Sequence, residues 1–186
     1  MLRMCLSGLL ISSIVSMAAA DEPQSRIQPG HNLLGETEDA HVPRDVKIGP
    51  LAFNDLDGEA VHLSDALDDG PVVFVFLSTT CPLAKRYTSR LNDLHEAYAD
   101  RGVQMFALFP NSDETTQGIR AYLEQVKFPF PAVRDVGGYV ASRIGATMTP
   151  QAFVVDRQSR IRYRGAIDDN RYETRVKETY LNDALD

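Results

Sequence analysis

Cysteine is scarce in this chain. Among 186 residues there are two, Cys5 and Cys81, and tryptophan is absent. The two cysteines do not form a Cys-x-x-Cys pair, and no Cys/His spacing typical of a zinc site occurs. A glycine-rich phosphate-binding loop is also missing. These absences argue against a dithiol motif, a structural zinc ion and a nucleotide site, so we expect no metal and no cofactor.

Basic charge is outweighed by acidic charge. Lysine and arginine together number 19 against 26 for aspartate and glutamate, which gives a formal net charge of -7 at pH 7, and no basic tract is present. An acidic chain of this kind argues against nucleic acid or an anionic membrane surface as a partner. The length suits one domain with a proper core and not comfortably two.

The first twenty residues have the pattern of a secretory signal peptide. Arg3 precedes an apolar run over residues 6–17, and three alanines lead to Asp21. The run is too short for a confident membrane span, and a retained anchor is the alternative. We therefore expect an exported protein, periplasmic or extracellular, with no membrane span in the mature chain.

Two further segments follow the predicted signal peptide. Residues 21–44 are rich in proline, glycine and acidic residues and predict a flexible leader. Residues 45–186 then form the folded domain. Cleavage would remove Cys5 and leave Cys81 alone, so an oxidised Cys81 would have to be resolved by a thiol of another molecule.

The chain is organised around the segment that ends in Cys81. Residues 72–77 read Val-Val-Phe-Val-Phe-Leu, a β-branched and aromatic run that predicts a strand buried on both faces. Thr80 or Cys81 then caps a helix with Pro82 in its first turn. One long helix is predicted from apolar residues at helical spacing: Leu83, Tyr87, Leu91, Leu94 and Tyr98.

The position of Cys81 at a strand-to-helix turn favours a reactive thiol. Unpaired helix N–H groups stabilise a thiolate, and Lys85 and Arg86 add positive charge about one turn later. A small buried hydrophobe is the alternative interpretation of Cys81. His95 lies fourteen residues further on, about 21 Å along a helix, so it cannot act as the base of a cysteine hydrolase.

The remaining core follows from local patterns. Asp57-Gly58 predicts a hairpin, and residues 103–109 predict a second strand parallel to the first. We also expect an ion pair between Arg134 and Asp135 on the surface. Further expected elements are a helix capped by Asn111-Ser112-Asp113, a small helix capped by Asp135, antiparallel strands at 151–155 and 161–166, and a terminal helix from Thr174.

The segment Phe-Leu-Ser-Thr-Thr-Cys-Pro-Leu-Ala-Lys resembles the active-site segment of the thioredoxin-fold redoxins, a superfamily that includes alkyl hydroperoxide reductase and thiol-specific antioxidant proteins. Similar segments lie at 53–58, 130–135 and 149–156. The resemblance implies an α/β thioredoxin-like fold with a central mixed β-sheet, helices on both faces and an N-terminal β-hairpin.

The resemblance also implies a site. The residues implied in catalysis are Cys81, Thr80, Ser78 and Lys85. Those implied in substrate binding are Pro82, Met148, Thr149 and Pro150, with Pro150 in the cis form. Ala84 stands where thioredoxins have their second cysteine, Lys85 where copper chaperones have theirs, and Phe74 where peroxiredoxins have a proline.

A single-cysteine thiol oxidoreductase is the function that these observations favour. Ser78 and residues 130–135 favour reduction of a peroxide, whereas the Cys-Pro-Leu-Ala segment favours exchange with a disulfide-bearing protein, and an external thiol reductant resolves the product in either case. The alternatives are a non-catalytic binding or assembly module for a partner peptide or copper, and a redox-inactive domain.

Overall fold

The computed structural model describes residues 45–186. Within them lie eight strands: β1 (Val46–Lys47), β2 (Ala52–Asn54), β3 (Ala60–His62), β4 (Val72–Phe76), β5 (Gln104–Phe109), β6 (Ala132–Arg134), β7 (Gln151–Val155) and β8 (Arg160–Gly165). Six α-helices accompany them: α1 (Leu63–Asp69), α2 (Pro82–Arg86), α3 (Thr88–Ala99), α4 (Thr116–Val126), α5 (Tyr139–Ile144) and α6 (Tyr180–Leu185). The predicted signal peptide and leader lie outside the described residues.

Six strands form one mixed sheet in the order β1-β8-β7-β4-β5-β6. Strand β4 runs parallel to β5 and antiparallel to β7, and all five of its residues are buried. Its side chains alternate, with Val73 and Val75 in one apolar cluster and Phe74 and Phe76 in the other. Helices cover both clusters, so the predicted thioredoxin-like fold with a central mixed sheet is confirmed.

The predicted N-terminal hairpin is also present. Strands β2 and β3 pair antiparallel as a separate two-stranded sheet, with Phe53 opposite Val61. Gly58 in the connecting turn has a φ of 89°, a value that favours glycine. The amide of Leu56 donates to the carbonyl of Ala132 at 2.8 Å, which joins the hairpin to β6.

The single helix predicted after Cys81 is wrong, because Tyr87 divides it into α2 and α3. Tyr87 has φ −90° and ψ −4°, and its amide donates to the carbonyl of Ala84 three residues earlier. The Thr88 hydroxyl donates to the carbonyl of Lys85 at 3.0 Å. These short-range bonds replace the regular helical ladder at the break.

The cap predicted for α4 is wrong by two residues. Thr115 is the N-cap, and its hydroxyl accepts from the amide of Gly118 at 3.0 Å. Asn111 instead begins a turn in which its carbonyl accepts from the amide of Glu114 at 3.2 Å. The helix begins only after this turn, because the carbonyl of Asn111, one of the predicted cap residues, already accepts a hydrogen bond within the turn.

The expected ion pair between Arg134 and Asp135 is wrong as well. Asp135 is buried, and its two carboxylate oxygens accept from the amides of Val140 and Ala141 at 2.8 Å each. The carboxylate thus caps α5, as predicted, and is not available to Arg134. Arg134 Nε donates instead to the carbonyl of Glu114 at 2.9 Å.

The terminal helix begins at Tyr180, so the start predicted at Thr174 is wrong. Asp169 explains the delay: its carboxylate accepts from the amide of Lys177 at 2.9 Å, and its own amide donates to the carbonyl of Glu178 at 3.1 Å. These bonds hold residues 176–179 in a non-helical form. No helix of the described part of the chain is long and apolar enough to cross a membrane.

Candidate active site

The candidate site lies at one end of the central strands of the sheet. Strands β4 and β5 end there, and β7 begins there, because β7 runs antiparallel to β4 with Gln151 opposite Phe76. Two loops meet at this end of the strands: residues 78–81 after β4, and residues 147–150 before β7. The sheet topology therefore brings the two groups of predicted site residues together.

Cys81 is the N-cap residue of α2, and Pro82 takes the first helical position. The cysteine is partly exposed and free. Its Sγ atom lies 3.8 Å from the carbonyl oxygen of Thr149, within hydrogen-bonding range for sulfur. The Thr149–Pro150 peptide bond is cis, as the resemblance implied.

Ser78 and Thr80 shape the turn that carries Cys81. The amide of Cys81 donates to the carbonyl of Ser78 at 3.3 Å, and the amide of Thr80 donates to the Ser78 hydroxyl at 3.2 Å. The two hydroxyl oxygens are 3.0 Å apart. Ser78 is buried and Thr80 is exposed. Their hydroxyls bond to each other, and the Ser78 hydroxyl also accepts from the backbone of the turn.

Lys85 is exposed on α2, and its Nζ atom lies 5.9 Å from the centre of the Tyr122 ring. This is a cation–π distance. Burial raises the pKa of the Tyr122 phenol, and negative charge on Cys81 and Glu114 raises this pKa further. Lys85 thus lies against an aromatic side chain of α4 that belongs to the apolar cluster on which Cys81 packs.

The loop before β7 forms one wall of the site, and side chains of β7 and β8 hold it through polar contacts. The amide of Thr147 donates to the buried side chain of Gln151 at 2.9 Å, and Arg164 donates to the Thr147 hydroxyl at 3.3 Å. Met148 is 64 % exposed, which is unusual for a large apolar side chain. It stands beside the contact between Thr149 and Cys81.

Glu114 is a residue of this site that sequence reasoning missed. It is 4 % exposed, and its Oε1 atom accepts from both the amide and the hydroxyl of Thr79, at 2.5 and 2.8 Å. One signal could have found it: Glu114 follows the end of β5, beside the end of the cysteine strand, where functional residues gather in parallel sheets.

Within the described residues no group of three or more His, Cys, Asp or Glu side chains could hold a metal ion. Cys81 has no second cysteine beside it there.

Residues 45–164 match the AhpC/TSA family, which accounts for more than half of the chain. The chain belongs to the AhpC/TSA family. The predicted membership of the redoxins is thereby confirmed, and with it the class of thiol oxidoreductase enzymes.

This AhpC/TSA chain is also similar to individual proteins. The thiol-disulfide oxidoreductase ResA of Bacillus thuringiensis subsp. konkukian is 28% identical over 120 residues, which cover 62% of this chain and 68% of the relative. A solved structure of an uncharacterized conserved protein from Geobacillus kaustophilus is 28% identical, with a TM-score of 0.68 over 77% of this chain and 82% of that one.

A third similar protein is the peroxidoxin BcpB from Mycobacterium tuberculosis. It is 20% identical, with a TM-score of 0.56 over 76% of this chain and 93% of that one. At that identity the likeness shows only that the two chains share a fold.

Proposed function

We propose that this enzyme carries out thiol–disulfide exchange with another molecule, using Cys81 as its nucleophile. The observation that carries the proposal is the contact between Cys81 Sγ and the Thr149 carbonyl, where β4 ends and β7 begins. The sulfur is partly exposed, and Met148 offers an apolar contact surface beside it. A disulfide of a partner protein could therefore reach the thiol at this end of the strands.

The proposed reaction has two balanced steps. The Cys81 thiolate attacks one sulfur of a substrate disulfide, so that a mixed disulfide forms and the other substrate sulfur leaves as a thiolate. An external thiolate then attacks the substrate sulfur of the mixed disulfide and releases Cys81 as a thiolate. The first substrate sulfur ends as a thiolate and the second is joined to the external thiol, so a second external thiolate is needed to release it and complete the two-electron reduction of the substrate. No second cysteine of this chain takes part.

Three observations favour a disulfide over a peroxide as the substrate. Arg134 lies in the segment 130–135, which favoured a peroxide at the level of sequence, and its Nε donates to the Glu114 carbonyl rather than to the thiol. The relative ResA is named as a thiol-disulfide oxidoreductase. Ser78, which favoured a peroxide at the level of sequence, bonds to Thr80.

The test uses the full chain with Cys5→Ser, so that Cys81 is the single thiol. We expect oxidised glutathione to form one mixed disulfide at Cys81 at neutral pH, detected by intact-mass analysis, and reduced glutathione to reverse it. Cys81→Ser in the same background is the control and should gain no mass. If one equivalent of peroxide oxidises Cys81 but oxidised glutathione does not react, the activity is peroxide reduction and not disulfide exchange. A thiol that reacts with neither would support a non-catalytic binding module.

We also propose that residues 1–20 direct export and are removed, that residues 21–44 form a leader, and that residues 45–186 form the redoxin domain. The support is the charge and hydropathy pattern of the N-terminal sequence. Expression of the full chain in a bacterial host should deliver protein to the periplasm with Asp21 as its first residue. Protein in the cytoplasm that still begins at Met1 would contradict the export proposal.

A further inference from the structure

Glu114 occupies an unusual place for a charged residue. It lies in the turn between β5 and α4, yet only 4 % of it is exposed. Its backbone is fixed at both ends, since its amide donates to the Asn111 carbonyl at 3.2 Å and its carbonyl accepts from Arg134 Nε at 2.9 Å. The side chain therefore projects from a rigid support.

The two carboxylate oxygens of Glu114 have different surroundings. Oε1 accepts from the amide and the hydroxyl of Thr79. Oε2 is buried, and no group in residues 45–186 donates a hydrogen bond to it. A buried polar atom without a partner costs roughly 1–3 kcal/mol, and more when it is charged. The two hydrogen bonds at Oε1 must offset this cost.

We propose that Glu114 is a positioning residue for the Cys81 thiol. Thr79 stands two residues before Cys81, in the turn that leaves β4. Fixing the amide and the hydroxyl of Thr79 at one carboxylate oxygen holds that turn, and the turn sets where the sulfur stands relative to Thr149. Charge-assisted hydrogen bonds to a rigid acceptor are well suited to this, because they are short and directional.

The carboxylate also has an electrostatic effect on the thiol. Its negative charge disfavours a nearby thiolate, which opposes the effect of Lys85. The positioning effect of Glu114 and the effect of its charge can therefore be measured separately. Glu114→Gln keeps an oxygen that can accept from Thr79 but removes the charge, whereas Glu114→Ala removes both.

The experiment measures two properties of the full chain in the Cys5→Ser background: the pH midpoint of Cys81 alkylation and the rate of glutathionylation. We expect Glu114→Ala to slow glutathionylation about tenfold or more, since small misplacements of a reacting atom have effects of this order. Glu114→Gln should stay within about threefold of the starting protein and shift the alkylation midpoint to lower pH. Thr79→Val, which keeps the amide donor and loses the hydroxyl, should fall between them.

Thr115→Ala is the matched control. It removes the cap of α4 beside Glu114, and so costs helix stability without touching Thr79. Thermal unfolding of each variant shows that it is folded at the assay temperature. An alkylation midpoint and a glutathionylation rate in Glu114→Ala equal to those of the starting protein would overturn the proposal, and so would an equal loss in Thr115→Ala.

This inference rests on the proposed role of Cys81 as a nucleophile, but the two fail in different ways. If the starting protein itself is inert, the proposed function fails. If the starting protein reacts and the Glu114 variants react equally well, only the positioning role fails.

Discussion

The sulfur of Cys81 lies 3.8 Å from the carbonyl oxygen of Thr149, although 68 positions separate the two residues. The register of the sheet produces this contact. Gln151 at the start of β7 pairs with Phe76 at the end of β4, so the loop before one strand faces the loop after the other. The thiol thus depends on pairing between strands that are distant in sequence.

Lys85 should tune the reactivity of the thiol. We expect Lys85→Gln to raise the pH midpoint of Cys81 alkylation by roughly 0.2–0.7 units, because exposed charges interact by about 0.2–1 kcal/mol and one pKa unit is 1.36 kcal/mol. The measurement is the alkylation rate against pH at low ionic strength. The control is Arg120→Gln, which changes an exposed cation that pairs with Asp57. A midpoint equal to that of the starting protein would remove Lys85 from the site.

Met148 should matter for the partner and not for the thiol. Its exposed side chain can be buried by a docked polypeptide, so we expect Met148→Ala to lower the rate of exchange with a peptide disulfide about threefold to tenfold, in line with the loss of a few buried carbon and sulfur atoms. The alkylation midpoint of Cys81 should stay the same. Val46→Ala, which trims an exposed apolar residue on β1 at the far edge of the sheet, should change neither value.

Local sequence was enough to predict the centre of the fold. The run at 72–77 indicated a buried strand because β-branched and aromatic side chains fit a sheet covered on both faces. Pro82 marked the start of the helix because its ring suits the first turn. The prolines and glycines of the turns gave similar information, as at Gly58.

Long-range contacts account for what could not be predicted. A glutamate in a polar turn is ordinarily solvated, and only the folded chain places Glu114 against Thr79. The late start of α6 depends on Asp169, which binds backbone eight positions away. Strand β1 was missed because two residues carry no periodic pattern, and only their pairing with Ile161 and Arg160 of β8 makes them a strand.

Gly70 and Gly102 should tolerate no side chain. A Cβ atom on Gly70 would lie 2.1 Å from the Gly102 carbonyl oxygen. The backbone between α1 and β4 would then have to move away from the backbone between α3 and β5. We expect Gly70→Ala to lower the free energy of unfolding by about 1–3 kcal/mol, the range typical of overpacking. Gly49→Ala is the control, since a Cβ there meets nothing within 4 Å. Urea unfolding at pH 7 measures both, and equal stabilities would contradict the close approach.

Arg90 and Asp168 form a buried ion pair between α3 and the segment after β8, with side chains 12% and 4% exposed. We expect Asp168→Asn to cost about 3–5 kcal/mol of folding free energy, because it leaves the Arg90 charge buried without a carboxylate. The double variant Arg90→Met/Asp168→Leu should lose much less than the sum of the single variants. Asp57→Asn, which breaks the exposed pair with Arg120, should change stability by about 0.5 kcal/mol or less.

Asp186 should give the stability a measurable dependence on acid. Hydrogen bonds from Tyr98 and Arg101, at 2.8 and 3.0 Å, hold the pKa of Asp186 below its ordinary value of 3.8. A carboxyl group with a lowered pKa in the folded state stabilises that state above the unfolded pKa, and this contribution disappears as the pH falls through the folded pKa.

We therefore expect Asp186→Asn to be less stable than the starting protein at pH 7 and equally stable once the pH is well below 3.8. Urea unfolding across this range measures the gap, and high salt should narrow it because the groups are exposed. Asp113→Asn is the control, since Asp113 is exposed and forms no side-chain hydrogen bond or ion pair with the described residues. A gap between Asp186→Asn and the starting protein that persisted unchanged into acid would mean that the Asp186 contacts stabilise α6 through packing and not through the charge.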